Sequence, residues 1–172
     1  MKAARFAQGD IITTVLTCAR GETILLRLDT TLPRSYSRDF TVRGTKGLYM
    51  QDTNSVFLDG DEESFEPVKY YEKALNSAVK FENECLPEIW KNVTEETLKA
   101  GHGGMDWFAY MGFTDALINS EEMPVDVYDA ATWQAVAVLS EMSIKQGGAP
   151  QIMPDFTNGK WFKRPRKDVC RL

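Results

Sequence analysis

Residues 10–30, Asp10-Ile11-Ile12-Thr13-Thr14-Val15-Leu16-Thr17-Cys18-Ala19-Arg20-Gly21-Glu22-Thr23-Ile24-Leu25-Leu26-Arg27-Leu28-Asp29-Thr30, decide the fold class. Two runs rich in Ile, Leu, Val and Thr flank Ala19-Arg20-Gly21-Glu22. β-branched and aliphatic side chains suit a pleated surface, and a short glycine-bearing break between two such runs predicts an antiparallel hairpin. Strand signals continue downstream. After Leu32-Pro33, Arg38 to Arg43 alternates polar and apolar residues. Gly44-Thr45-Lys46-Gly47 then turns the chain into Leu48-Tyr49-Met50, and Ser55 to Leu58 predicts a further short strand. Four or five consecutive strands without intervening helices predict an antiparallel meander with one face to bury.

From Glu66-Pro67 the pattern changes. Val68, Tyr71, Leu75, Ala78 and Val79 recur at helical spacing, Pro87 interrupts, and Asn92-Val93-Thr94-Glu95-Glu96 predicts a capped restart. Two longer helices follow, one over Met105 to about Ile118 and one from Val125 to about Lys145. The second carries an apolar stripe of Val127, Ala131, Ala135, Val138, Leu139 and Met142, and Gly147-Gly148 ends it. Strands first and helices afterwards predict an α+β domain, with residues 1–172 forming one unit.

The chain has 172 residues, of which 43% are hydrophobic and 26% charged, values of a folded globular protein rather than a disordered one. Its net charge of −5 disfavours a nucleic-acid partner. The basic end (Lys160, Lys163, Arg164, Arg166, Lys167, Arg171) reads as a solvated tail or as a binding patch. No apolar run approaches the roughly 20 residues of a membrane-spanning helix. The Met1-Lys2-Ala3-Ala4-Arg5-Phe6 start lacks a signal-peptide core, so a cytoplasmic, membrane-free protein is the default expectation. Cys18, Cys85 and Cys170 are far apart in sequence and imply neither a disulfide framework nor a zinc knuckle. A single histidine, His102, excludes every site that needs two.

No GxGxxG follows a strand and opens a helix, and no GxxxxGK[ST] occurs. A dinucleotide needs such glycines to bring backbone amides to its pyrophosphate. Gly101-His102-Gly103-Gly104 precedes a helix, but the segment leading into it, Thr94 to Ala100, is polar and helical. Three segments remain as candidates. In Gly101-His102-Gly103-Gly104-Met105-Asp106, His102 is either a packed side chain at a tight helix entry or a group that hydrogen-bonds or exchanges protons with a substrate. Asp106 fits the first turn as a dipole partner. The loop Thr30-Thr31-Leu32-Pro33-Arg34-Ser35-Tyr36-Ser37-Arg38 is either a ligand wall or a surface turn. Met123-Pro124-Val125-Asp126-Val127-Tyr128-Asp129 reads as a helix start.

Taken in order, these segments resemble the C-terminal domain of the glucose–fructose oxidoreductase and inositol dehydrogenase family (Gfo/Idh/MocA). The branch they resemble most is that of the NAD-dependent α-N-acetylgalactosaminidases, glycoside hydrolase family 109. The matching stretches are Gly21 to Ile24, Leu28 to Arg38, Val42 to Gly47, Gly101 to Asp106, Pro124 to Ala131 and Pro154 to Thr157. The resemblance covers about Gly9 to Trp161. The Lys69–Trp90 stretch is longer than the branch's, and the basic end has no counterpart.

The resemblance implies an open, largely antiparallel sheet with helices packed on one face, like the C-terminal domain of dihydrodipicolinate reductase. It implies that the chain walls the sugar site and forms a homodimer through its sheet face. It further implies that an N-terminal Rossmann domain, absent from this chain, binds NAD. The chain alone would then bind no cofactor and would be inactive. In the glycosidase branch NAD transiently oxidises the sugar 3-hydroxyl, the glycosidic group leaves by elimination, water adds and the hydride returns. Tyr36 matches a position that contacts the sugar, and His102 sits in the matching glycine motif. The family's proposed acid–base groups lie upstream of residue 1, so no catalytic residue is assigned here. A sugar or glycoside is the implied substrate. The alternative is a non-catalytic sugar-binding or dimerisation module.

Overall fold

The computed structural model describes residues 9–60 and 77–164. The chain divides into two compact units at Asp59/Gly60, and each is described by itself.

The first unit is all β. Strands β1 (Ile11–Thr17) and β2 (Thr23–Asp29) pair antiparallel, with Ile11 opposite Asp29 and Thr17 opposite Thr23. The expected break closes the hairpin. Cys18 N donates to Glu22 O at 2.8 Å, Gly21 N donates to Cys18 O at 3.0 Å, and Gly21 has φ 97°, which a side chain would resist. Directly opposed residues share a face, so Ile12, Thr14 and Leu16 join Leu28, Leu26 and Ile24 on one side. Strands β3 (Thr41–Arg43), β4 (Gly47–Met50) and β5 (Ser55–Leu58) form a separate antiparallel sheet with β4 in the middle.

The strands therefore make a hairpin and a meander rather than one continuous ladder. The division falls between β2 and β3, where Arg34 donates to Ser35 O and Ser37 O and Ser37 Oγ accepts from Asp39 N. β3 is correspondingly shorter than the alternation of Arg38 to Arg43 predicts.

The second unit is helical. The predicted start at Glu66-Pro67 lies outside the described residues. Three short helices follow: α1 (Glu82–Cys85), α2 (Glu88–Lys91) and α3 (Glu95–Lys99). Pro87 separates the first two, and Thr94 caps the third by accepting from Thr97 N at 3.2 Å. Helix α4 (Met105–Ile118) is as predicted.

Helix α5 (Val127–Lys145) begins at an Asp126 cap, with a reciprocal pair in which Asp126 Oδ1 accepts from Asp129 N and Asp129 Oδ2 accepts from Asp126 N. It ends at Gly147 and Gly148, both at positive φ. Its less exposed face runs through Ala131, Thr132, Ala135, Val136, Leu139 and Ser143, while Val127, Val138 and Met142 of the expected stripe are exposed. Apolar residues occur all round this helix, so periodicity alone does not select the packed side.

The chain end is tied down rather than free as far as Arg164. Its guanidinium grips both Asp129 oxygens at 2.7 and 3.0 Å and reaches Asp126 at 3.0 Å. The Asp129 hydrogen bonds hold the guanidinium pKa above its ordinary value.

Upstream, Asp155 accepts from the Thr157 hydroxyl and amide at 2.8 and 2.9 Å and from Gly159 N at 2.6 Å, and Thr157 Oγ1 accepts from Trp161 N at 3.0 Å. The Thr157 hydroxyl bond holds the Asp155 carboxyl below its usual range. A depressed folded value means the loop's stabilisation is complete above about pH 4 and is lost as pH falls through that depressed value. Trp161 fluorescence is expected to stay flat from neutral pH down to about pH 5 and to change only below about pH 4.

Among the described residues only Ser55, Gly104 and Ala116 are buried. No helix among them is long and apolar enough to cross a membrane.

Candidate functional site

Two surface segments carry the chemistry, one in each unit. In the first unit, Pro33 and Arg34 shape the loop between β2 and β3. Arg34 does not face outward as a ligand-binding cation would. Its Nε donates to Ser35 O at 3.2 Å, its Nη2 donates to Ser37 O at 2.8 Å, and Asp29 lies 3.7 Å away. Ser37 Oγ donates to the Asp52 carboxylate at 2.6 Å and accepts from Asp39 N at 2.8 Å, while Thr31 Oγ1 donates to Asp10. These bonds hold both feet of the loop.

The residue left projecting is Tyr36, 85% exposed, and Arg38 Nε donates to its phenol oxygen at 3.1 Å. With that oxygen already accepting from a guanidinium, the phenol O–H is left to serve as a donor. The arrangement suits a hydroxyl or amide oxygen of a sugar.

In the second unit, Gly101, His102, Gly103 and Gly104 all have positive φ, at 92°, 45°, 69° and 92°. Four such residues in a row reverse the chain from α3 into α4. Gly104 N closes the turn by donating to Gly101 O at 2.9 Å. At Gly104 a Cβ would lie 3.2 Å from Thr97 O, and at Gly101 a Cβ would collide with the Asp106 carboxylate. His102 accordingly stands out from the surface, and its Nδ1 meets Asp106 Oδ2 at 2.8 Å. Both side chains are exposed, at 71% and 60%. Asp106 was expected as a dipole partner in the first turn. It lies in that turn, yet its carboxylate is engaged by the imidazole and caps no amide.

An open groove of about 390 Å³ lies nearby, lined by Glu88, Ile89, Asn92, Val93, Thr97, Trp107 and Phe108. Trp90 and Phe108 pack at 4.4 Å between ring centroids beside it. Neither His102 nor Asp106 lines this groove.

Tyr36 belongs to the first unit and His102 to the second. Reading the residues alone missed two partners, Arg38 for Tyr36 and Asp106 for His102. The Arg38 signal was an arginine two residues beyond a loop tyrosine, which lacks specificity. Among the described residues no group of three His, Cys, Asp or Glu side chains could hold a metal ion.

A dinucleotide does not fit the glycine segment. The chain enters it from α3 rather than from a strand, Gly104 N is spent within the turn, and a carboxylate stands beside the turn at Gly101. An anionic pyrophosphate would meet a negative charge there.

The pattern described as "Glycosyl hydrolase 109, C-terminal domain" matches residues 1–163. A "Glycosyl hydrolase family 109 protein" of Stenotrophomonas maltophilia is 44% identical over 160 residues, covering 93% of this chain and 34% of the relative. An "Alpha-N-acetylgalactosaminidase" of Tannerella forsythia is 40% identical over 159 residues, covering 92% and 32%. Another of that description, from Shewanella oneidensis, is 32% identical over 158 residues, covering 91% and 34%. The chain spans about a third of the length of the curated relatives it matches.

Proposed function

The chain belongs to the glycosyl hydrolase 109 C-terminal domain family, and from that membership we propose that it is the sugar-facing domain of an α-N-acetylgalactosaminidase-like enzyme. The observation that carries this reading is, in each unit taken by itself, an exposed side chain on a stapled loop. In the first unit Arg38 holds the phenol oxygen of Tyr36, and in the second Asp106 holds the imidazole of His102. Both lie in segments that the family pattern covers. A sugar presents hydroxyls and an acetamide, which a phenol or an imidazole can each hydrogen-bond.

The reading includes NAD held by a dinucleotide-binding domain outside residues 1–172, and the hydride chemistry belongs to that group. This chain's residues orient the sugar and exchange protons with it. The face of Ile12, Leu16, Ile24, Leu26 and Leu28 supports pairing of two copies through the hairpin sheet, since those side chains gain nothing from water.

The test is hydrolysis of an aryl α-N-acetylgalactosaminide. The chain joined to a family dinucleotide-binding domain should turn the substrate over when NAD is present, and either part alone should not. Turnover by this chain alone, or none by the joined protein with any aryl glycoside, would overturn the proposal.

A further inference from the structure

We infer that Asp106 is a positioning residue that fixes the tautomer of His102, leaving Nε2 as the free proton acceptor, and that Gly101 is required because its missing side chain makes room for that carboxylate. The inference rests on the sugar-facing role proposed for His102 and adds how that imidazole is prepared.

The geometry is local and specific. Asp106 Oδ2 lies 2.8 Å from Nδ1 of His102. A carboxylate only accepts, so in the neutral ring the proton sits on Nδ1 and the lone pair on Nε2. When Nε2 takes up a proton, the resulting imidazolium keeps its Nδ1–H against the same carboxylate, and the positive charge forms beside a negative one. Both stages need the ring to hold one orientation. A histidine that is 71% exposed would otherwise rotate freely about its side-chain bonds.

The backbone supplies the rest. His102 and Asp106 are four residues apart, but the intervening chain is not a helical turn, because Gly103 and Gly104 have φ of 69° and 92°. The contact is thus made by the left-handed glycines and not by helical spacing. At Gly101 an added Cβ would strike Oδ2, the very oxygen that holds His102, and also lie 3.1 Å from Asp106 Cγ. At Gly103 an added Cβ would meet nothing within 4 Å. Gly101 (φ 92°, ψ 135°) and Gly103 (φ 69°, ψ 30°) therefore differ in backbone conformation and in whether a methyl group disturbs Asp106.

The chain's single histidine makes the experiment direct. The full chain, labelled with ¹⁵N-histidine, is examined by long-range ¹H–¹⁵N correlation above pH 8. The wild-type ring is expected as the Nδ1–H tautomer. Asp106→Ala and Gly101→Ala should each move the population toward Nε2–H, the form an unconstrained histidine favours. Gly103→Ala places a methyl group at a positive φ without the collision and should leave the tautomer in place. Dispersed indole signals from Trp107 confirm that α4 is intact in each variant.

A wild-type ring already in the Nε2–H form, or an Asp106→Ala ring unchanged from wild type, overturns the inference. A helix-capping or dipole role for Asp106 would alter stability and leave the tautomer alone. In the joined enzyme, Asp106→Ala should lower kcat about tenfold with little change in KM. The expected tautomers together with an unimpaired His102 variant would retain the positioning and reject the proposed role of His102, so the two failures are distinguishable.

Discussion

Replacing His102 with glutamine in the joined two-domain enzyme is expected to lower kcat/KM by about a hundredfold, the low end of what a positioned acid–base group contributes. Glutamine keeps a hydrogen-bonding head of similar reach but cannot take up a proton. A loss carried mainly by kcat would mark proton transfer, whereas a loss carried by KM alone would mark binding. The low end is appropriate because the imidazole is exposed and its partner Asp106 is too. Tyr36→Phe should behave differently. It removes one outward donor and leaves the ring, and a single hydrogen bond is worth about 1 kcal/mol. That corresponds to roughly a fivefold rise in KM. Steady-state kinetics on an aryl α-N-acetylgalactosaminide separate the two outcomes. An His102→Gln enzyme within twofold of wild type would remove His102 from the site.

The second large effect is structural. Gly47→Val should destabilise the three-stranded sheet by about 3 kcal/mol. Strand propensity alone would forecast the reverse, since valine suits a strand and glycine weakens one. Contact distances decide against propensity. A Cβ at residue 47 would sit 2.9 Å from Phe57 O and 3.1 Å from Leu58 Cδ2. The first is a backbone atom of the paired strand β5 and has no rotamer to yield. Because β4 lies between β3 and β5, shifting it strains both ladders.

Every tryptophan lies in the second unit, so the readout is amide hydrogen exchange of β4 and β5. Protection should fall by about two orders of magnitude. Gly44→Ala is the control, since its Cβ would stand 3.6 Å from Gly47 O, an ordinary contact. Its effect should stay within about 1 kcal/mol. Equal effects at the two positions would sink the steric account.

The amino-acid order by itself determined the α+β class, the hairpin across residues 19–22, the extent of α4 and the capped start of α3. Each follows from interactions within a few residues: period-two or period-3.6 patterning, a glycine at positive φ, or a threonine reaching its own helix amide. The ordered segments also carried the family resemblance that residues 1–163 bear out.

Tertiary structure alone decided what depends on groups that approach through space. Arg164 grips Asp129 across 35 residues, a contact invisible in a tail that reads as solvated charge. Arg34 is engaged by the carbonyls of its own loop, while Tyr36 stands 85% exposed. Asp106 meets the imidazole from the first turn of α4, because four residues at positive φ fold His102 back over it. Which face of α5 packs belongs here too, since a helix apolar on every side contains no internal preference for one of them.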